Sequence, residues 1–385
     1  MRAAVAAPAR LGLGLGLTLA LALGGCGGDD DDGGDVDAGV DECPIAAGTG
    51  VSFDATAEEC DKLSSYRFFV GPLADMAPND RVVPYDLNSP LFSDYTAKDR
   101  FLWLPEGTSM DYHPEDTFDV PVGSVFIKTF SYPDDVRSPD GSRQLLETRL
   151  LYRTAEQWEV ATYVWDETQT EAYRQVAGAR IASEWIHFDG QTRTLDYSVP
   201  DKNQCKNCHE EHDDLTAPIG PKARHLNRMH DYPGGAQNQL SYLAEQGLLS
   251  GLPADIAQVP LAPVWDDPNT GTVEERARTW MDINCAHCHN PTGAARTSGL
   301  DLSHDQSNPY EFGVCKGPVA AGGGSGGRLY NIVPGQPDES ILVYRLESTE
   351  LDERMPEIGR QQVHEESTAL IREWIAAMPG DCSAP

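Results

Sequence analysis

Nine cysteines constrain this chain of 385 residues more than any other feature. Cys26 closes a short apolar run. Four others stand in two matching patterns, Cys205-Lys-Asn-Cys208-His209 and Cys285-Ala-His-Cys288-His289. Cys43, Cys60, Cys315 and Cys382 remain. An even remainder suits disulfides in an oxidising compartment. Four cysteines allow three pairings; proximity favours Cys43 with Cys60, which leaves Cys315 for Cys382. The alternative is that a pair of them stays as free thiols.

The N-terminus reads as an address. Arg2 and Arg10 precede an apolar run over Leu11 to Gly25, too short for the roughly 20 residues of a membrane-spanning helix. The run ends in Leu23-Gly24-Gly25-Cys26. This resembles a bacterial lipobox, which would make residues 1–26 a lipoprotein signal with Cys26 lipidated at the mature N-terminus. An ordinary secretory signal is the bland alternative. Residues 27–50 include four consecutive aspartates, Asp29 to Asp32, and no base. Such a stretch buries too little apolar surface to order itself, so it reads as a disordered acidic tether. The whole chain carries 61 acids against 29 bases, a net charge of -32. That excess repels phosphate backbones, so no nucleic-acid partner is expected, and the membrane is reached through the lipid anchor only.

The C-x-x-C-H pattern is the attachment motif of covalent haem: two thiols join the vinyl groups and the adjacent imidazole binds iron. A zinc ribbon would set its two pairs about 15–20 residues apart, whereas 76 residues separate Cys208 from Cys285. A thioredoxin-like motif needs a preceding βαβ unit and has no use for the histidine. Two haem c groups are therefore expected, one on Cys205, Cys208 and His209, the other on Cys285, Cys288 and His289.

Thr272-Val-Glu-Glu275 is a capping box leading into an apolar face of Ala277, Trp280 and Met281. Leu370, Ile371, Trp374, Ile375 and Met378 form a second helical face, stopped by Pro379-Gly380. Two such helices around a haem motif resemble the frame of a class I cytochrome c domain. Arg354-Met355-Pro356 looks like the Met-Pro ligand loop of those domains, which makes Met355 the sixth ligand of the second haem, with a core methionine as the alternative. For the first haem the following loop offers His212, His225, Met229 and His230. Met229 is favoured, because thioether is a common sixth ligand in this class; Met76, Met110, His113 and His187 stay open. Lys222, Arg224 and Arg228 in the same loop are candidates to pair with haem propionates. Residues 51–200 instead alternate β-branched and aromatic runs with turn signals, as in Ser124–Phe130, Gln144–Arg153, Trp158–Trp165, Arg180–Phe188 and Thr192–Val199.

The expected fold is thus multidomain: a mainly antiparallel β domain over 51–200, then mainly α cytochrome c-like haem domains. In this reading 201–270 is the first haem-binding segment and 271–385 a class I cytochrome c-like domain with the second haem. Tyr85 to Tyr95 (YDLNSPLFSDY), VGSVFIKTF, NQCKNCH, IGPKARHLNR, NCAHCH, SGLDL, IVPGQPDESIL and MPEIG together resemble a bacterial dihaem c-type cytochrome lipoprotein family with an N-terminal β region. The resemblance covers most of residues 80–380. It implies an exported electron carrier; Gly27 and Gly28 after Cys26, with no Asp directly following, separately point to the outer membrane, on its periplasm-facing or surface side. The acidic surface would steer a basic redox partner. A dihaem peroxidase-like enzyme with an open iron at the first site is the alternative.

Overall fold

Strands with buried side chains on both faces build the centre of the molecule. A computed structural model describes Cys43 and residues 47–211, 215–319 and 322–382. The signal, Cys26, most of the tether and His212 lie outside the described residues. Six strands form one antiparallel sheet in chain order: β1 Val82–Pro84, β2 Ala97–Trp103, β3 Val125–Pro133, β4 Arg143–Arg153, β5 Trp158–Trp165 and β6 Ala172–Arg174. One face buries Phe101, Ile127, Leu150 and Tyr163 under Leu63, Tyr66 and Phe68. The other buries Leu102, Phe126 and Trp158 under Leu226, Leu240 and Leu243. A hairpin of β7 Ala179–Ile186 and β8 Thr192–Val199 closes one end, with Trp185 stacked on Tyr132 at 4.3 Å. A second hairpin, β9 Met229–Tyr232 with β10 Gly235–Asn238, stands further along the chain.

Six α-helices are found among the described residues: α1 Lys202–His209, α2 Ala223–Leu226, α3 Gln239–Glu245, α4 Val273–Asn284, α5 Ile341–Glu347 and α6 Glu365–Ala377. Thr272 and Glu275 close the capping box at the start of α4. Helix α4 packs on α6 through a core that includes Trp280, Met281, Leu370, Ile371 and Trp374.

The mainly α haem domains expected after residue 200 are absent. The described chain is mostly antiparallel sheet. Residues 201–270 are short helices and hairpins whose apolar side chains join the core on the second face of the sheet. Residues 271–382 hold three α-helices joined by long irregular stretches, so this is not a mainly α, class I cytochrome c-like domain. Asp41–Pro385 forms one compact unit. The physical reason is that a helix signal is local. The patterns at 272–284 and 365–378 hold, while the Gly- and Pro-rich chain between them forms one short α-helix, Ile341–Glu347.

Cys43 is bonded to Cys60 and Cys315 to Cys382, with Cα separations of 5.0 and 5.2 Å. Arg67 donates to the carbonyl of Gly48 and Asn79 to that of Thr49, so the C-terminal part of the stretch read as a tether is tied to the folded unit. The two disulfides fit an exported protein. No helix among the described residues is long and apolar enough to cross a membrane.

His364 lies against the rings of Phe92 and Trp265, at 4.1 and 4.9 Å, with its side chain 13% exposed. Burial, with Lys98 and Arg360 adding to it, pushes the imidazole down to about 3. Between that value and the unfolded value near 6.5 the unfolded chain holds a proton that the folded chain does not. The stability is therefore fully present above about pH 6.5 and falls as pH drops, by about 2 kcal/mol at pH 5. Urea unfolding at pH 7 and pH 5 should show the native chain losing more than His364→Phe by that amount; equal losses would refute the assignment.

Candidate functional site

The first motif occupies a helix of two turns. Asp201 accepts the N–H groups of Asn203 and Gln204 at 2.8 and 2.9 Å, satisfying the start of α1. The i, i+3, i+4 spacing puts Cys205, Cys208 and His209 on one side of it. Helix α1 packs on β5 and on the short strand Leu215–Thr216. His209 donates its Nδ1–H to the Ala217 carbonyl at 2.7 Å, which leaves Nε2 as the lone-pair nitrogen. Burial pushes His209 down to about 4, so the imidazole is neutral, the form that binds a metal.

The second motif begins where α4 ends. Asn284 fixes that end: its side chain accepts the N–H of Phe92 at 2.8 Å and donates to the Trp280 carbonyl at 2.9 Å. His289 lies with Nδ1 3.0 Å from the Ser298 hydroxyl and is likewise pushed down to about 4 by burial. The structure brings the two motifs into contact. The Cys208 thiol hydrogen-bonds with Cys288 and His287, which holds Cys208 well below an ordinary thiol and raises Cys288. His287 itself donates from Nδ1 to the Ile283 carbonyl at 2.9 Å.

Cys285, Cys288, His289 and Met355 line one cavity of about 920 Å³, together with Cys208 of the first motif. That is the size range of cofactor sites. Leu300, Phe312, Ile332 and Leu346 give it apolar walls. These residues fit a haem. All four motif cysteines are free, both histidines have one ring nitrogen engaged, and a thioether shares the cavity of His289. No group of three His, Cys, Asp or Glu side chains among the described residues could hold a bare metal ion; iron in haem needs only axial ligands from the chain.

The remaining candidates scatter. Met229 is 58% exposed on β9, and nothing in the structure places it against His209. His230 lies beside Tyr232 on the same hairpin. His225 is consumed by Asp282 at 2.7 Å. Met76 and Met110 are packed in the cores on opposite faces of the sheet. His113 accepts N–H groups of its own loop, and His187 is packed on Tyr95. The bases suggested for propionates are also engaged: Arg224 pairs with Asp282 and Arg228 with Asp86, while Lys222 flanks α2.

Sequence reasoning gave the segment 85–95 no role. The structure makes it a strap between the sheet and the second motif. Asn88 donates to the carbonyls of Arg224 and Ala262. Asp94 accepts the N–H groups of Gln361 and Gln362 at 2.6 and 2.8 Å, and Tyr95 donates to Glu366 at 3.0 Å. Asp94 and Tyr95 both have left-handed backbones, φ 49 and 63. That rare run of non-glycine residues in the left-handed region is fixed by these contacts. Buried Asn and Asp in an uncharged turn context were the available signal. No protein-family model, no curated protein and no solved structure matches the chain.

Proposed function

We propose that the chain is an exported dihaem c-type cytochrome that passes electrons between redox partners, held at a membrane by a lipid on Cys26. The observation that carries this reading is the contact between two C-x-x-C-H motifs, each with its histidine oriented through Nδ1. When bound, each haem supplies a one-electron iron couple. The chain's own residues do the rest. Cys205, Cys208, Cys285 and Cys288 fix the two groups covalently. His209 and His289 would bind iron through Nε2, and Met355, which lines the same cavity as His289, would supply a thioether at the second haem. Because Cys208 touches Cys288, the two attachment points are neighbours and an electron need not leave the protein between them. The acidic surface, -32 overall, suits a basic partner whose association weakens with salt.

The soluble form starting at Gly27, made with haem maturation, tests this. Optical and paramagnetic-resonance spectra should count two covalently attached haems. Cys285→Ser with Cys288→Ser should leave one. Met355→Ala should turn the second haem high-spin while the first is unchanged. A chain that carries no covalent haem would sink the proposal. A second reading, a peroxidase-like enzyme with an open first iron, is favoured by the exposed position of Met229. A high-spin first haem in the native protein that binds small ligands and turns over peroxide would select it.

A further inference from the structure

The sheet carries an arrangement that costs stability unless something answers it. In register across β2, β3 and β4, Arg100, Lys128 and Arg149 stand directly opposite one another, followed by Thr162 on β5. The next row on that face is Lys98, Phe130, Glu147 and Val164. Like charges directly opposite on neighbouring strands repel. Lys98, Lys128 and Arg149 also crowd one ring, at 5.6, 5.0 and 4.5 Å from the centre of Phe130.

Carboxylates are abundant in this chain, yet few reach this face. Glu147 is committed to Arg149 at 2.5 and 2.7 Å and to the Tyr197 hydroxyl at 2.6 Å. Asp86 lies 3.2 Å from Arg100 and also pairs with Arg228. Asp94 acts on Lys98 from a distance but is engaged by the backbone of Gln361 and Gln362. Lys98 donates to the Thr96 carbonyl at 2.8 Å, and Lys128 makes no hydrogen bond among the described residues. Among the described residues, no carboxylate pairs with the ammonium group of Lys98 or of Lys128. Burial depresses both, Lys128 to about 7.

The first motif lies over this ground. Helix α1 packs on β5. The charges of Arg149 and Lys128 act on the Cys205 thiol, and that of Lys128 acts on His209. We propose that Lys98 and Lys128, backed by Arg149, bind the two propionates of the haem attached at Cys205 and Cys208, so that the β-sheet sets the electrostatics of the first haem. This rests on the dihaem reading above. The charges match: two ammonium groups without a carboxylate partner among the described residues, and two carboxylates. The arrangement also gives the sheet a task beside its packing.

A cation beside a haem disfavours the extra positive charge of ferric iron, so removing it lowers the potential. The test uses the mature lipid-free holoprotein and its Lys128→Gln, Lys98→Gln and Lys128→Arg variants, with haem content and both midpoint potentials measured spectroelectrochemically. Each Gln variant should keep two haems. One potential should fall by an amount equal to about a tenfold change in the oxidised-to-reduced ratio, about 59 mV for one electron. The other potential should move much less, and Lys128→Arg should stay near the native value. If Lys128→Gln does not fold, Lys98→Gln gives the same reading. Two haems with unmoved potentials, or equal shifts of both, would overturn the proposal. So would inorganic phosphate binding the native holoprotein and shifting the first potential, because the row would then be open to free anions. Failure of the native chain to attach haem is a different result and refutes the dihaem reading itself.

Discussion

Asp282→Asn should destabilise the protein by about 3–5 kcal/mol, the cost of breaking a buried ion cluster from one side. Asp282 is 3% exposed and faces two residues of α2: Arg224 at 2.8 and 3.0 Å, itself 5% exposed, and the fully buried His225 at 2.7 Å. Those partners hold its carboxyl well below the usual range despite burial. Its contribution is therefore present above about pH 4 and is lost only when pH falls through that depressed value. Without the carboxylate, Arg224 is an uncompensated buried cation. Urea unfolding at pH 7 measures the loss, and Asp282→Leu combined with Arg224→Met should recover much of it, since apolar groups of similar size need no counter-charge. A loss below about 1 kcal/mol would show that the cluster is solvated rather than buried. Because α4 leads directly into Cys285, the same carboxylate aligns the second motif with the segment after the first.

The second large effect concerns Cys315–Cys382. Its removal by Cys315→Ser and Cys382→Ser should cost about 4 kcal/mol on the chain-entropy estimate, because the two cysteines stand 67 positions apart in the chain. The bond ties the end of α6 to the chain that follows Phe312, a wall of the second motif's cavity. Denaturant titration should show the loss. Proteolysis should appear first between residues 303 and 330, where the described chain is mostly irregular. Native resistance to both would mean that the cavity wall is held by packing alone.

The strands were largely legible because runs of β-branched and aromatic residues are bounded by turn signals. Trp158–Trp165 and Thr192–Val199 run as the pattern predicts, and Val125–Pro133 extends it by three residues. Ala97–Trp103 was not foreseen. Its Lys98, Asp99 and Arg100 look like a surface loop, and only the neighbouring strands reveal them as a central strand. Both C-x-x-C-H motifs are local patterns of five residues and could be read directly. What the chain does not display is which distant groups meet them. Met229 has the right chemistry for a ligand and stands on an exposed hairpin; Lys98 and Lys128 look unremarkable one by one and become a cluster only through strand register. The same limit explains the overestimate of helix after residue 200. Two good helix faces say nothing about the chain between them, and the apolar residues of 201–270 found their partners on the sheet.

The contact between Cys208 and Cys288 bears on the order of events during biogenesis. Two thiols that touch are the reactants of a disulfide wherever an oxidant is present, and a depressed Cys208 is the better attacking partner. This chain forms two other disulfides in its folded state. In the dihaem reading, a copy that packed α1 against the end of α4 while its motif thiols were still free would bring the wrong pair together and take one thiol from each motif. On that reading, capping of the thiols would have to come before the two halves close, and the fold that makes the motifs neighbours would be one the chain enters safely only late.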